Sequence, residues 1–391
     1  MSATADALLE SLIRFPSVSD RSNRDVSQWI ADRLSERGFS IEWLAYKDNN
    51  EVEKVNVIGR RGPDADGGLA YFGHSDVVPA IRWQGPTENR PELASHQHPD
   101  EAAFLPTRTD QRIYGRGACD MKGSLACMLA AADQIPVSEQ RAPLTYVCTA
   151  DEEIGFAGAR QVAAASQTFQ KLRDEQPLGI IGEPTLLKVV HAHKGIAGYR
   201  FISHGHAAHS SSRDGLNANL AMVPLLAEIH RLHELSETDP QFRNMNFDPP
   251  TLSWNFGVSD GATAVNITPA ESQAWVFFRP MPGVDGEPLV RSLLAKAESL
   301  GIEIRTASGS PPVWVEPNDK AIQKMCKLTG CSEPKTVCYG TDGGQFTDLK
   351  QLLVMGPGAI AQAHTVDEWI DLSQLERGTE IYADCIRQWC C

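Results

Sequence analysis

Apolar positions recur along this chain at two different periods. Near the start, Ala5, Leu8, Leu9, Leu12 and Ile13 repeat at helical spacing, which predicts a helix ending before Pro16. A second helix is predicted over residues 25–38, closed by Gly38. Short apolar runs at 40–44, 56–59, 69–72, 144–149, 178–181 and 352–355 read as strands. Several are apolar throughout, as strands covered on both faces are. Helical patterns at 121–135 and 319–329 lie between them. The predicted class is α/β, with a mixed, mostly parallel sheet flanked by helices.

The pattern changes after Val190. Residues 194–203 read as a strand, 216–235 as a helix, 252–256 and 272–278 as strands, 288–300 as a helix and 302–306 as a strand. This order is that of the split βαβ, ferredoxin-like α+β sandwich. It predicts an inserted lid or dimerisation domain over 194–308, with 1–193 and 309–391 forming the catalytic domain. The polar, proline-rich stretch 81–110 carries His96 and His98 and is read as a surface insertion with solvated histidines.

Chemistry gathers where the predicted strands end, the edge at which open α/β sheets bind ligands. His74 and Asp76 follow one strand, and in extended chain they point to the same side. Asp76 can then accept from one imidazole nitrogen of His74 while the other binds metal. Asp120 follows Tyr114-Gly-Arg-Gly117. A dinucleotide loop is excluded there, because the third glycine of that fingerprint is replaced by a carboxylate that would repel a pyrophosphate. Asp151-Glu152-Glu153, Glu183 before Pro184, and His364 complete the set.

Carboxylate and imidazole donors suit zinc first, with cobalt or manganese as alternatives. Two divalent ions roughly 3.5–4 Å apart need a short bridging carboxylate, for which Asp120 is the candidate. Asp120, Glu153, Glu183 and a bridging hydroxide would balance the charge of both ions. Glu152 is left to act as general acid/base. His209 could donate to an oxyanion as a carbonyl is attacked.

The formal net charge of -14 argues against nucleic acid and against anionic membrane as partners. No apolar run approaches the roughly 20 residues of a membrane span, and the first residues do not read as a secretory signal. The nine cysteines are scattered without a Cys-x-x-Cys pair, which reads as free thiols in a reducing cytosol. Cys390 and Cys391 are expected to form a frayed tail.

The segments Gly73-His-Ser-Asp-Val-Val-Pro79, Tyr114-Gly-Arg-Gly-Ala-Cys-Asp-Met-Lys-Gly123, Asp151-Glu-Glu153, Gly182-Glu-Pro-Thr185, Gly205-His-Ala-Ala-His-Ser-Ser211 and Phe278-Arg-Pro-Met-Pro-Gly283 resemble the zinc-dependent aminoacylase and carboxypeptidase family. The resemblance spans nearly the whole chain. It implies that His74 and Glu183 bind one metal, Glu153 and His364 the other, and that Asp120 bridges them. It assigns Glu152 as the acid/base, Asp76 as the group that orients His74, and His209 as an oxyanion donor that in many members reaches across a homodimer. It also implies a substrate-binding set of Asn266, Arg279, Gly340 and Thr341, and a cis peptide after Asp120. His191-Ala-His-Lys-Gly195 and residues 356–368 are most similar to the acetylornithine deacetylase branch. That branch implies a cytoplasmic enzyme releasing L-ornithine and acetate from N-acetyl-L-ornithine, in arginine biosynthesis. Succinyl-diaminopimelate desuccinylase, a general aminoacylase or a dipeptidase are the alternatives of the same class. A catalytically inactive binding protein is the alternative of another.

Overall fold

In the computed structural model, residues 3–86, 99–307 and 309–391 are described. His96 and His98 lie outside these residues. The chain divides into two compact units, one of residues Met1–Ala192, Val315–Lys335 and Thr341–Cys391, the other of His193–Trp314 and Thr336–Gly340.

The first unit is built on a sheet that includes the strands β1 (Ser40–Lys47), β2 (Glu53–Arg61), β3 (Leu69–His74), β4 (Leu144–Thr149), β5 (Leu178–Ile181), β6 (Val190–His193) and β7 (Leu352–Val354). They lie side by side in the order β1-β2-β4-β3-β5-β7-β6. The four central strands are parallel, β4 to β3, β3 to β5 and β5 to β7. The flanking pairs β1–β2, β2–β4 and β7–β6 are antiparallel. Every residue of β3, β4, β5 and β7 is buried, as uniformly apolar central strands require.

One face is covered by the helix Gly123–Asp133, buried along almost its whole length, and by Leu372–Cys390, which packs on it. Tyr71 of β3 meets the rings of Tyr146 and Tyr382 at 5.1 and 5.5 Å. Ser124 bonds both the Tyr71 and Tyr382 hydroxyls at 2.8 Å, so the polar tips of this cluster are satisfied. Elsewhere in the core, Phe72 stacks on Phe346 at 4.4 Å, with Phe169 edge-on.

β1 and β2 are longer than their apolar runs predict, because charged residues extend them. The Arg60 guanidinium forks onto Glu175 at 2.9 and 2.6 Å, and Arg61 donates to the carbonyls of Ala132 and Ile135. The helix predicted from residue 121 starts at Gly123, since Asp120 and Met121 hold non-helical backbone angles. The cis peptide expected after Asp120 is present between Asp120 and Met121. All nine cysteines are free, and Cys390 is buried at the end of the last helix rather than frayed. No helix among the described residues is long and apolar enough to cross a membrane.

The second unit is a four-stranded antiparallel sheet in the order Asn255–Ser259, Glu271–Phe278, Ala197–His204, Glu303–Thr306. The helices Asn219–Thr238 and Glu287–Ser299 belong to it and bury Met222, Leu225, Ile229, Leu232, Leu289, Val290, Leu293 and Ala297. The strand predicted at 252–256 begins at Asn255. Before it, the buried Lys194 ammonium donates to the carbonyls of Pro249 and Thr251 at 2.8 and 2.6 Å and holds that stretch irregular. The helix predicted from 216 begins at Asn219, because Leu216 pairs with His206 through two backbone hydrogen bonds.

The turn after β4 shows how tightly the first unit sets its loops. Asn56 of β2 accepts from the Ala150 N–H at 3.0 Å and donates to the Gly158 carbonyl at 3.2 Å, stitching both ends of the loop 150–158. A Cβ at Gly158 would stand 2.2 Å from the Ala150 oxygen and 2.5 Å from Asn56 Oδ1. Gly158→Ala is expected to destabilise the first unit by about 1–3 kcal/mol, the usual range for overpacking. Thermal unfolding of the variant checks this, and an unchanged midpoint would show that the loop can yield.

Candidate metal centre

β3 ends at His74, and the strand positions its imidazole at the sheet's carboxyl edge. His74 Nε2 lies 3.1 Å from Asp120 Oδ1 and 3.7 Å from Glu183 Oε1. Its Nδ1 faces the backbone carbonyl of Asp76 at 2.9 Å. Here the structure departs from the expected carboxylate–imidazole pair, since the Asp76 carboxylate stands back at 3.7 Å. That carboxylate instead accepts from Ser19 Oγ at 2.8 Å and from the Glu152 and Glu153 N–H groups at 3.2 and 3.3 Å. Asp76 therefore orients the ring through its main chain and holds the Glu152–Glu153 turn through its side chain.

Asp120 follows Gly117, which adopts φ 81° in the turn; a Cβ there would meet Val77 Cγ1 at 2.7 Å. Glu153 and Glu152 follow Asp151, a buried residue at φ 58°. Its two oxygens are gripped by Lys54 Nζ at 2.9 Å and the Tyr46 hydroxyl at 2.7 Å. Lys54 and Tyr46 face each other across β2 and β1. Glu183 follows β5 and is buried. His364 comes from a loop at φ 63°, its side chain 51% exposed, with Nε2 2.9 Å from Glu153 Oε2 and 3.5 Å from Asp120 Oδ2.

Two groups result, His74–Asp120–Glu183 and Asp120–Glu153–His364, in each of which one ligand atom per residue lies within 4.8 Å of the others. Asp120 belongs to both, offering one oxygen to each side. Burial pushes Glu183 well above the usual carboxylate range, with the Asp120 charge adding to it. Burial and the same neighbour push Glu153 up to about 7. Burial would raise Asp120 as well, but hydrogen bonds from His364 and His74 hold it below its ordinary value. Burial opposes charge on His74, yet its bond to Asp120 and the charges of Glu152 and Glu183 raise it well above normal. The hydrogen bonds to Asp120 and then to Glu153 push His364 up to about 10.

These residues fit a pair of divalent cations. Glu153 Oε1 is buried without a hydrogen-bond partner among the described residues. Three mutually repelling carboxylates and two imidazoles form the mixed O,N donor set of a hard or borderline cation. The neighbouring thiol of Cys119 is no competitor. Burial pushes it up, and Sγ donates to the Ala359 carbonyl at 3.2 Å.

Glu152 is partly buried beside this cluster. Burial and the charges of Glu183, Asp342 and Glu153 push its carboxyl well above the usual range, against the pull of His74. Thr341 is buried, and its Oγ1 accepts from the Gly343 N–H at 3.0 Å, capping a turn. His209, Asn266, Arg279 and Gly340 belong to the second unit. There His209 is exposed with Nδ1 2.7 Å from Ser211 Oγ, and the Ser210 N–H donates to the Asn266 carbonyl at 3.0 Å. Arg279 is partly buried with its guanidinium 5.2 Å over the Phe277 ring, and it forms no ion pair among the described residues.

Sequence reasoning passed over Asp342. Its Oδ2 lies 2.5 Å from Thr149 Oγ1, its Oδ1 has no partner among the described residues, and burial pushes it up to about 7. Within Gly340-Thr-Asp-Gly-Gly344 an aspartate reads as an ordinary turn residue. Arg116 and Glu368 carry no role in the sequence reading either, although both lie inside segments that bear the family resemblance.

The profile of Peptidase family M20/M25/M40 matches residues 70–388. The chain is 31% identical to the acetylornithine deacetylase of Myxococcus xanthus, over 100% of this chain and 99% of that one. It is 33% identical to the acetylornithine deacetylase of Photorhabdus laumondii, over 98% and 96%. Among solved structures, the family M20 metallo-carboxypeptidase Sso-CP2 of Sulfolobus solfataricus superposes with a TM-score of 0.72 at 16% identity, covering 98% of this chain and 99% of that one. The di-peptidase Dug1p of Saccharomyces cerevisiae gives 0.71 at 16% identity, covering 98% and 95%. At these identities the two structures share the fold.

Removing metal with a chelator is expected to lower the melting temperature, and added zinc to restore it. A free ion at a thousandfold its Kd contributes about 4 kcal/mol per site. Uptake near neutral pH should also release protons, because His364, pushed up to about 10, must lose its proton to bind metal. Affinity should therefore rise with pH across the neutral range. Calorimetry in buffers of different ionisation enthalpy counts the protons, and zero release would contradict this account.

Proposed function

Since this chain belongs to peptidase family M20/M25/M40 and is a metal-dependent hydrolase, we propose that it cleaves the amide bond of an N-acyl amino acid, with N-acetyl-L-ornithine as substrate. The observation that carries the reading is the pair of three-residue donor groups sharing Asp120, with Glu152 beside them. The full-length similarity to acetylornithine deacetylases supports the substrate.

His74, Asp120 and Glu183 would hold one divalent ion, zinc first, and Asp120, Glu153 and His364 the other. Such a pair supplies Lewis acidity to an amide carbonyl and lowers the pKa of water. Glu152 takes a proton from the attacking water onto its carboxylate and returns it to the departing amine nitrogen. A carboxyl held above its usual range by burial suits a group that must accept and release a proton near neutral pH. His209 donates to the developing oxyanion. Arg279, free of any carboxylate among the described residues, and Asn266 bind the substrate's α-carboxylate. Gly340 and Thr341 complete the proposed substrate-binding set.

The protein works as a homodimer joined through the second unit. That unit presents exposed Leu220, Val223 and Val258, the last on the sheet's end strand Asn255–Ser259. An exposed strand edge beside apolar side chains favours pairing with a second chain. Sedimentation is expected to give twice the chain mass, and a fully active monomer would count against this assembly.

Glu152→Gln should keep both metals and lose on the order of 10²- to 10⁴-fold in kcat. Metal analysis beside steady-state kinetics tests this, and near-normal turnover would remove Glu152 from the role. On a panel of acyl amino acids, the zinc-loaded wild type is expected to prefer N-acetyl-L-ornithine. Preference for succinyl-diaminopimelate or a dipeptide would overturn the substrate while leaving the reaction class intact.

A further inference from the structure

One buried ion pair behind the metal centre touches the loops that carry its ligands. Arg116 and Glu368 are 3% and 1% exposed, with Arg116 Nη1 2.8 Å from Glu368 Oε2. The same Oε2 accepts the Gly117 N–H at 2.9 Å. Oε1 accepts the N–H of Cys119 at 2.8 Å and that of Asp120 at 3.0 Å. All four acceptor sites of the carboxylate are thus filled, three of them by the turn that delivers Asp120. The backbone carbonyl of Glu368 also accepts the Gly115 N–H at 3.0 Å.

Arg116 reaches the other way. Its Nη2 donates to the Thr365 carbonyl at 3.0 Å, next to His364, and to the Pro79 carbonyl at 3.4 Å, on the loop that follows His74 and Asp76. No hydrogen bond or ion pair among the described residues joins this pair to the side-chain atoms that would hold metal. The pair ties the Asp120 turn to the loop of residues 364–368.

This tie bears on the two metal positions unequally. His74 sits at the end of a fully buried strand, and Glu183 follows another. The Asp120 turn has further supports of its own, including Lys122 N–H to the Gly117 carbonyl at 2.8 Å and Lys122 Nζ to the Phe15 carbonyl at 2.8 Å. His364 is framed less firmly, since its side chain is half exposed and its loop is otherwise held by the Gln84 N–H on the Val366 carbonyl at 2.7 Å and by the short strand Trp369–Asp371, which pairs with Arg112–Tyr114. Holding its imidazole against Glu153 and Asp120 requires the loop to be anchored nearby.

We infer that Glu368 and Arg116 are positioning residues that set the affinity of the His364-side metal position selectively, by locking the Asp120 turn to the His364 loop. The inference rests on the two-metal reading of the site. Replacing Glu368 by Gln keeps size and shape but turns one acceptor into a donor facing donors. The groups that orient metal ligands typically govern affinity by roughly 10- to 100-fold.

The experiment is stepwise titration of the metal-free full-length chain with Zn²⁺, by calorimetry and chelator competition. In the wild type two binding steps are expected, and the step abolished by His364→Ala marks the His364-side position. A wild type that takes up a single ion would sink the two-metal reading itself, separately from this inference. In Glu368→Gln the marked step is expected to weaken by roughly 10- to 100-fold, while the other changes less than about threefold. Arg116→Lys keeps the charge but loses the fork, and should weaken the same step by a smaller factor. It carries the test alone if Glu368→Gln does not fold. Equal weakening of both steps, or of neither, overturns the inference, because a general structural role would not separate them.

Discussion

Two carboxylates with oxygens within 4.8 Å of each other repel by about 3–4 kcal/mol at an effective dielectric near 20. Asp120 stands in that relation to both Glu183 and Glu153, inside a fold whose whole margin is typically 5–15 kcal/mol. Such a cluster persists only if positive charge is supplied. Without metal, the imidazoles of His74 and His364 supply part of it and protons on Glu153 and Glu183 the rest, which is why those groups are all displaced upward from their ordinary values. Two divalent cations would replace these protons. Metal and proton thus compete for the same oxygens and nitrogens.

Repelling groups must also be prevented from swinging apart, and the first unit does this with polar side chains set just behind the site. Asn56 closes the loop that carries Glu152 and Glu153, and Asp76 takes both of their N–H groups. Tyr46 and Lys54 hold the preceding Asp151 from the opposite side. Each belongs to a strand or strand end, so the rigidity of the sheet is passed to the loops through hydrogen bonds between buried partners. Buried polar groups left half-satisfied would destabilise the fold; fully satisfied, they fix one geometry.

The same distinction explains what was legible in the sequence. Uniformly apolar strands announced themselves, and with them the positions of His74, Glu153 and Glu183, because burial on both faces leaves a composition signal. The four-stranded sheet of the second unit carries a different signal, since its strand Glu271–Phe278 alternates buried and more exposed positions and reads by period rather than by uniform apolarity. The supports were not legible. Lys54, Arg60 and Arg61 extend a strand that their charges disguise, and each has a partner far away in the chain, Asp151, Glu175 and the Ala132 carbonyl respectively. Asp76 was singled out, but its carboxylate faces Ser19 and two amides rather than the ring beside it. A carboxylate's acceptors and an asparagine's amide have no periodicity, so their partners become visible only when the loops are placed.

Glu368 carries this to its limit. In the chain it is one acidic residue among several near the C-terminal segment, four positions beyond His364. In the fold its carboxylate receives the guanidinium of Arg116 and the amides of Gly117, Cys119 and Asp120, all about 250 residues earlier. A buried charge with four donors is expensive to assemble unless the donors are already gathered. The turn at Gly117 gathers them, so a loop rich in glycine becomes a fixed platform for Asp120. On the proposed two-metal reading, the two positions therefore draw on different sources of order. One stands on strand ends that the hydrophobic core makes rigid, and the other on an ion pair that joins two loops. A change in either source would act first on the half of the centre that it supports.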